Sequence, residues 1–209
     1  WTQQLGTSSE DKGNGVTTDS DNNIYVTGFT NGGLDNNTSS GAQDIILVKY
    51  NSSGTKQWTQ QLGGSAVDIG YGVTADSNNN IYVTGFTSLW YSGGSPRGLD
   101  GNTHLGGSTD IFLVKYNSSG TKQWTKQLGT SREEIGWGVT VDSSNNIYVT
   151  GETGGALDGT SSGSSDIFLV KYNSSGTKQW TKQFGTSGND YGKGVMVDNS
   201  SNIYVTGHV

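Results

Sequence analysis

Side chains able to move a proton or hold a metal are few in this 209-residue chain, and their spacing decides what they could do. Two adjacent acidic pairs, Glu10/Asp11 and Glu133/Glu134, could supply the two carboxylates of a glycoside hydrolase. An acid recurs at the same phase in Asp68 and Asp190, however, and a carboxylate repeated in every unit reads more naturally as a loop acceptor for backbone N–H groups. The two histidines, His104 and His208, are too few for a multi-histidine metal site and give a Ser-His-Asp relay little to build on, and there is no cysteine for thiolate chemistry. Asp19-x-Asp21-x-Asn23 and Asp76-x-Asn78-x-Asn80 have the alternating oxygens of a calcium loop. Their sister turns decay to Asp142-x-Ser144-x-Asn146 and Asp198-x-Ser200-x-Asn202, and none has Gly at the sixth position or Glu at the twelfth. Tight hairpins want Asp and Asn for their own side-chain-to-backbone bonds, so no metal and no cofactor is assigned.

Residues suited to recognition are better represented. Between Thr87 and Gly98 runs Ser-Leu-Trp-Tyr-Ser-Gly-Gly-Ser-Pro-Arg, about eight residues longer than the corresponding loops elsewhere in the chain. Trp90, Tyr91 and Arg97 in this loop offer large contact area with a polar handle. An aromatic platform of this kind also stacks on sugar rings. The competing reading folds Leu89, Trp90 and Tyr91 back to cap the structure beneath them.

The elements that must position these residues follow from self-similarity. Trp1, Trp58, Trp124 and Trp180 open the same phrase, WT[QK]Q[LF]G, at spacings of 57, 66 and 56 residues. Each unit continues with GxGV, an Asp-led polar turn and NIYVTG. The three complete units then carry GLD or ALD, a Gly/Ser/Thr-rich loop and DI[IF]LVKYNSSGTKQW. In the third unit Gly138–Asp142 and Ile147–Thr153 are β-branched and aromatic runs split by a turn, the composition of a hairpin. Asp166–Tyr172 and Thr177–Phe184 form a second pair around NSSG, where Gly176 can supply a positive φ. Ile167 and Leu169 alternate with Phe168 and Val170, so the inner strand is apolar on both faces, as in a covered sheet. No longer segment shows a helical period. Four-stranded antiparallel units, strands A to D, stacked face to face around an axis are β-propeller blades, and the chain reads as all-β.

The motif G-V-x-x-D-x-x-x-N-I-Y-V-T-G followed by D-I-F-L-V-K-Y-N-S-S-G-T-K-Q-W resembles the SBBP repeat, a bacterial beta-propeller repeat family, over essentially the whole chain. The resemblance implies blades of secreted or surface-exposed bacterial proteins, often in tandem, with no common enzymatic activity. One D strand at Trp1–Gly6, three full blades and a final A–B pair spanning Val195–Gly207 predict fifteen strands, in a single propeller or propeller fragment over 1–209. The first D strand could close a small ring with the final pair, two chains could do so reciprocally, or the stretch could belong to a longer polypeptide. The missing initiator Met and leader read as a mature or excised piece.

Comparing copies within the chain separates fixed from drifting positions. Both hairpin turns, A–B and C–D, are fixed. The residue inside GxG drifts through Asn14, Tyr71, Trp137 and Lys193, and the residue after the B strand's Thr-Gly through Phe29, Phe86, Glu152 and His208. The D–A loops drift as well, and in such a blade the D–A and B–C loops emerge at one end. The candidate ligand-binding set on that end is Trp90, Tyr91, Arg97, Tyr71 and Trp137, with Glu152 and His208 at the rim. For Tyr71 and Trp137 the alternative role is to plug a central channel. The repeated Trp58, Trp124 and Trp180 are expected to pack blade against blade.

Composition narrows the partners. Eighteen acidic against twelve basic residues give a net charge of −6, which argues against nucleic acid. No apolar run approaches the roughly 18 residues of a membrane span. The expected function is non-catalytic recognition outside the cytoplasm, at a cell surface or in secretion, of a glycan or protein ligand. The alternatives are a self-assembling structural domain that forms homo-oligomers through its terminal strands, and the two-carboxylate hydrolase.

Overall fold

The computed structural model describes residues 1–88 and 98–209. Among these residues fourteen strands are arranged in antiparallel meanders. The first sheet holds β1 (Asp11–Thr18), β2 (Ile24–Thr30), β3 (Asp44–Tyr50) and β4 (Lys56–Leu62). The second holds β5 (Asp68–Ala75), β6 (Ile81–Ser88), β7 (Thr109–Tyr116) and β8 (Lys122–Leu128), and the third β9 (Glu134–Val141), β10 (Ile147–Thr153), β11 (Asp166–Tyr172) and β12 (Lys178–Phe184). A final pair, β13 (Tyr191–Val197) and β14 (Ile203–His208), stands as a two-stranded sheet. These are three complete propeller blades and the inner half of a fourth, with β1, β5, β9 and β13 packed successively against one another.

One expected strand is absent, because Trp1–Gly6 joins no ladder. A D strand is held by the C strand of its own blade, and among the described residues no C strand lies beside this segment. It rests instead on the open face of the first blade, where Trp1 stacks on Tyr50 at 6.4 Å and Leu5 packs over Leu34, Ile46 and Val48. Closure of a ring between this segment and β13–β14, one of the three arrangements that the sequence leaves open, is not seen. The A strands begin earlier than expected, β9 at Glu134 rather than Gly138, because pairing continues through the GxG motif.

The fixed turns explain the repeated Asp and Asn. Asp19 Oδ1 accepts the backbone N–H groups of Asp21 and Asn23, both at 2.9 Å, while Oδ2 accepts Asn23 Nδ2 at 2.9 Å and the Tyr25 hydroxyl at 2.8 Å. Burial alone would raise the Asp19 pKa, but these donors outweigh it and hold it below the ordinary carboxylate value. Asp76, Asp142 and Asp198 repeat the arrangement. Asn22, Asn79 and Asn145 supply the positive φ near 60° that Asn tolerates. At the other hairpin Gly54, Gly120 and Gly176 take φ near 80°, as expected for Gly176.

The core lies between blades. Tyr25, Ile45 and Leu47 of the first meet Ile81, Val83, Phe112 and Val114 of the second, and Tyr82, Ile111 and Leu113 of the second meet Val149, Phe168 and Val170 of the third. Trp58 lies against Tyr25 in its own blade and over Gly120 in the next. Trp124 does the same with Tyr82 and Gly176, and Trp1 covers Gly54. The tryptophans therefore pack blade on blade wherever a following blade is present.

Candidate functional site

A β-bulge in every A strand builds the site. Register skips one residue between Gly13 and Gly15, between Gly70 and Gly72, and between Gly192 and Gly194, and an irregularity falls at the same place in β9–β10. The skipped residue leaves the in-out alternation, and bulges are a known device for re-aiming a side chain. The bulge also explains the invariant Thr-Gly of the B strand: the Lys12 carbonyl comes so close over Gly28 that no Cβ fits there, and Ile69 and Ile135 crowd Gly85 and Gly151 alike.

The re-aimed residues form a row across the blades. Asn14 donates its side-chain N–H to the Gly70 carbonyl at 2.9 Å. The Tyr71 ring lies 4.2 Å from that of Trp137 and 6.0 Å from Phe86. Lys193 Nζ sits 3.5 Å above the Trp137 ring and 5.0 Å from Tyr191, which in turn lies 4.7 Å from His208. The Trp137 indole N–H donates to Glu152 Oε1 at 3.1 Å. Glu152 is only 8% exposed, and burial raises its pKa against the opposing pull of the indole and of Lys193. Burial lowers the Lys193 pKa, with Glu152 opposing. Tyr71 is raised by burial, and Glu152 adds to it.

Of the residues expected from the sequence, Tyr71, Trp137 and Glu152 thus come together, and His208 lies further along the row on Tyr191. Trp90, Tyr91 and Arg97 lie outside the described residues. Lys193 and Phe86 complete the cluster without having been singled out, although their positions inside GxG and after Thr-Gly were the signal that marked their neighbours.

The acids of the D–A loops have a different role. Asp68 Oδ2 accepts the Gly64 N–H at 2.6 Å, Glu134 Oε2 that of Thr130 at 2.7 Å and Asp190 Oδ2 that of Thr186 at 2.7 Å, and Asp11 accepts from Thr7. They act as the loop acceptors that their repetition implied. A second set, at the start of each C strand, had no sequence signal beyond its repetition. Asp44, Asp110 and Asp166 are fully buried and accept both a loop N–H and the side-chain N–H of Gln61, Gln127 or Gln183. His104 is buried beside Asp110, and burial lowers its pKa with the carboxylate opposing.

This packing predicts a pH dependence. Burial pushes the Asp68 carboxyl up to about 6, assisted by the nearby Asp44 carboxylate and opposed by Gly64 and Thr87. The folded chain then keeps that proton longer than the unfolded chain does. Its contribution to stability falls as pH rises from about 4 to about 6 and is unfavourable above. Asp11 and Asp142 run the other way, because their hydrogen bonds outweigh burial and lower the pKa, so the stabilisation they give is lost as pH drops below the ordinary carboxylate range. The expected result is that Asp68→Asn raises the melting temperature at pH 7 to 8, by about 2 °C or more, and leaves it unchanged near pH 4. No gain at neutral pH would contradict the buried-charge account.

Fold and bulge row together define a repeat protein of propeller blades whose variable residues gather at one end. The profile of the SBBP beta-propeller repeat family matches residues 1–35, 57–88, 123–157 and 179–208, more than half of the chain, and the protein belongs to that family. The chain is 29% identical to the uncharacterized WD repeat-containing protein L264 of Acanthamoeba polyphaga mimivirus, covering 90% of this chain and 17% of that protein. It is 26% identical to the regulatory protein FlaEY of Caulobacter vibrioides, covering 89% of this chain and 21% of the relative. It therefore spans about a fifth of the length of these curated relatives. Among solved structures, a gluconolactonase from Xanthomonas campestris is similar with a TM-score of 0.48 and 13% identity, over 94% of this chain and 54% of that one. A luciferin-regenerating enzyme is similar at 0.45 and 12%, over 95% and 53%.

Proposed function

We propose that this chain is a non-catalytic recognition module, working outside the cytoplasm, that binds a protein partner at the end carrying the bulge row and the D–A and B–C loops. The observation that carries this reading is the bulge itself: one backbone device, repeated in every blade, presents a different side chain each time between the same two glycines. A position that the fold needs would not drift from Asn to Tyr to Trp to Lys. The names of the two relatives, a WD repeat-containing protein and a regulatory protein, are in keeping with an interaction role. Of the two acidic pairs that a hydrolase would use, one member of each, Asp11 and Glu134, is engaged as an acceptor for a loop N–H group.

Selection of a displayed random-peptide library on the wild-type chain, alongside a glycan array, tests this. Peptides should be enriched, and Trp137→Ala should cost their binding about 2 kcal/mol. Deleting residues 89–97 should weaken binding while leaving the melting temperature unchanged. Enrichment of glycans alone, or peptides indifferent to Tyr71→Ala, Trp137→Ala and the deletion, would overturn it.

A second reading has an observation of its own. The face of the first blade holds a hollow of about 260 Å³ lined by Trp1, Leu5, Val26, Leu34, Val48 and Tyr50 among others, while Met196 and Tyr204 at the opposite end are 56% and 50% exposed. Each is half of the seam that joins successive blades, so a second copy could complete both. Native mass spectrometry that finds only monomer up to high concentration would exclude self-association.

A further inference from the structure

Among the described residues five lysines stand over aromatic rings, Lys126 the most distant at 6.0 Å from Trp124 of its own strand, and one differs from the rest. Lys49, Lys115 and Lys171 recur at one phase of the C strand, 5.2 to 5.4 Å from the rings of Tyr25, Tyr82 and Tyr148. Two of them also donate to the next blade, Lys49 to the Ser118 carbonyl at 3.1 Å and Lys115 to that of Ser174 at 3.3 Å. These are structural contacts of the seam. Lys193 has no counterpart in the other blades, lies closer to its ring at 3.5 Å, and among the described residues makes no hydrogen bond or ion pair.

The surroundings of its ammonium have the make-up of a receptor for one. Trp137 offers a ring face, the Tyr71 ring lies tilted against it at 4.2 Å, and Tyr191 flanks the ammonium at 5.0 Å. The Glu152 carboxylate, buried and held by the indole N–H, supplies negative charge alongside. Aromatic faces attract a cation through their quadrupole, most strongly when water is partly excluded. An ammonium held by a ring face, with its N–H groups left to solvent, exchanges readily for another ammonium in the same place.

We propose that the Tyr71–Trp137–Glu152 cluster is a binding site for a lysine side chain of a protein partner, and that Lys193 is its internal occupant. This rests on the recognition role assigned to the bulge row and names the partner's chemistry. Lys193 competes with the incoming lysine, so the free site is only fractionally available and the apparent affinity is reduced by that fraction. The partner's lysine displaces Lys193 into the solvent to which it is already exposed. Phe or Tyr cannot replace Trp137 without loss, since indole is the strongest of the aromatic cation acceptors and its N–H orients Glu152.

Isothermal titration with tetramethylammonium, then with a short lysine-containing peptide and its Nε-acetylated form, tests the assignment. Lys193→Gln should bind tetramethylammonium and the lysine peptide about tenfold or more tighter than wild type. Adding Trp137→Phe or Glu152→Gln to it should remove most of that gain, and the acetylated peptide should bind no better than to wild type. Equal binding by wild type and Lys193→Gln, or equal binding of the charged and acetylated peptides, overturns the proposal. Trp137→Phe and Glu152→Gln keep the test valid if Trp137→Ala fails to fold. Failure here leaves the recognition role standing if selected peptides still depend on the row, whereas peptides that ignore the row remove both.

Discussion

Gly151→Ala is expected to destabilise the protein by about 3 kcal/mol, lowering the melting temperature by roughly 6 to 12 °C. A methyl group at this position would run into the Ile135 carbonyl, which the bulge in β9 brings over the Gly151 Cα, and would approach Phe168 Cε1 to 2.7 Å. Neither neighbour can yield cheaply. The carbonyl belongs to the bulge that re-aims Trp137, and Phe168 is fully buried in the seam between blades two and three. Cores packed to crystal-like density transmit such an insertion as strain. Gly188→Ala is the control, since the nearest atom to its added methyl is 3.5 Å away, and it should stay within roughly 0.5 kcal/mol of wild type. Thermal unfolding followed by circular dichroism reads both. A Gly151→Ala protein that melts within about 2 °C of wild type would mean that the bulge is not the constraint it is taken to be.

Trp124→Ala should cost about 3 kcal/mol, and Trp180→Ala about 1 kcal/mol, although the two residues occupy the same phase of the same repeat. Trp124 fills space between Tyr82 and the turn of the next blade, where a side chain on Gly176 would lie 3.1 Å from its ring. Removing it opens a cavity between two sheets, and the loss is the transfer energy of the indole plus that of the void. Trp180 packs on Tyr148 at 6.1 Å, but among the described residues no further C–D turn covers its outer face. Its truncation leaves solvent in place of the ring rather than a void. Denaturant unfolding of the two variants side by side gives the difference. Equal losses would contradict the view that these tryptophans stabilise by joining blades.

Much of this was legible in the chain itself because repetition supplies its own comparison. Four copies of WT[QK]Q[LF]G and NIYVTG locate the D and B strands, GxGV and DI[IF]LVKY the A and C strands between them, and the doubly apolar DIFLVKY announces a sheet covered on both faces. Trp1–Gly6 reads as a strand and is none, because a D-strand sequence carries no mark of whether its C strand is present. The GxG motif reads as a glycine-rich strand mouth, since a bulge is a property of pairing with the neighbouring strand and leaves the composition unchanged. Its drifting middle residue nonetheless located Tyr71 and Trp137. Lys193 was passed over because an isolated lysine ordinarily reads as a solvated charge, and only the geometry brings it over an indole. Asp44, Asp110 and Asp166 were missed for the opposite reason: an acid at the edge of a polar loop looks exposed, yet all three are buried among loop N–H groups and a glutamine amide.

Which end of the blades does the binding decides whether the bulge row is a recognition surface. The most direct measurement is the map of backbone amide shifts when a peptide selected on the wild-type chain is titrated into the 15N-labelled protein. Shifts are expected to gather at the bulges, Gly70–Gly72, Gly136–Gly138 and Gly192–Gly194, and at Glu152 and His208. Shifts gathered instead at the fixed A–B and C–D turns, Asp19–Asn23 and Asn117–Thr121 with their counterparts, would place recognition at the opposite end and contradict a binding role for the bulge row.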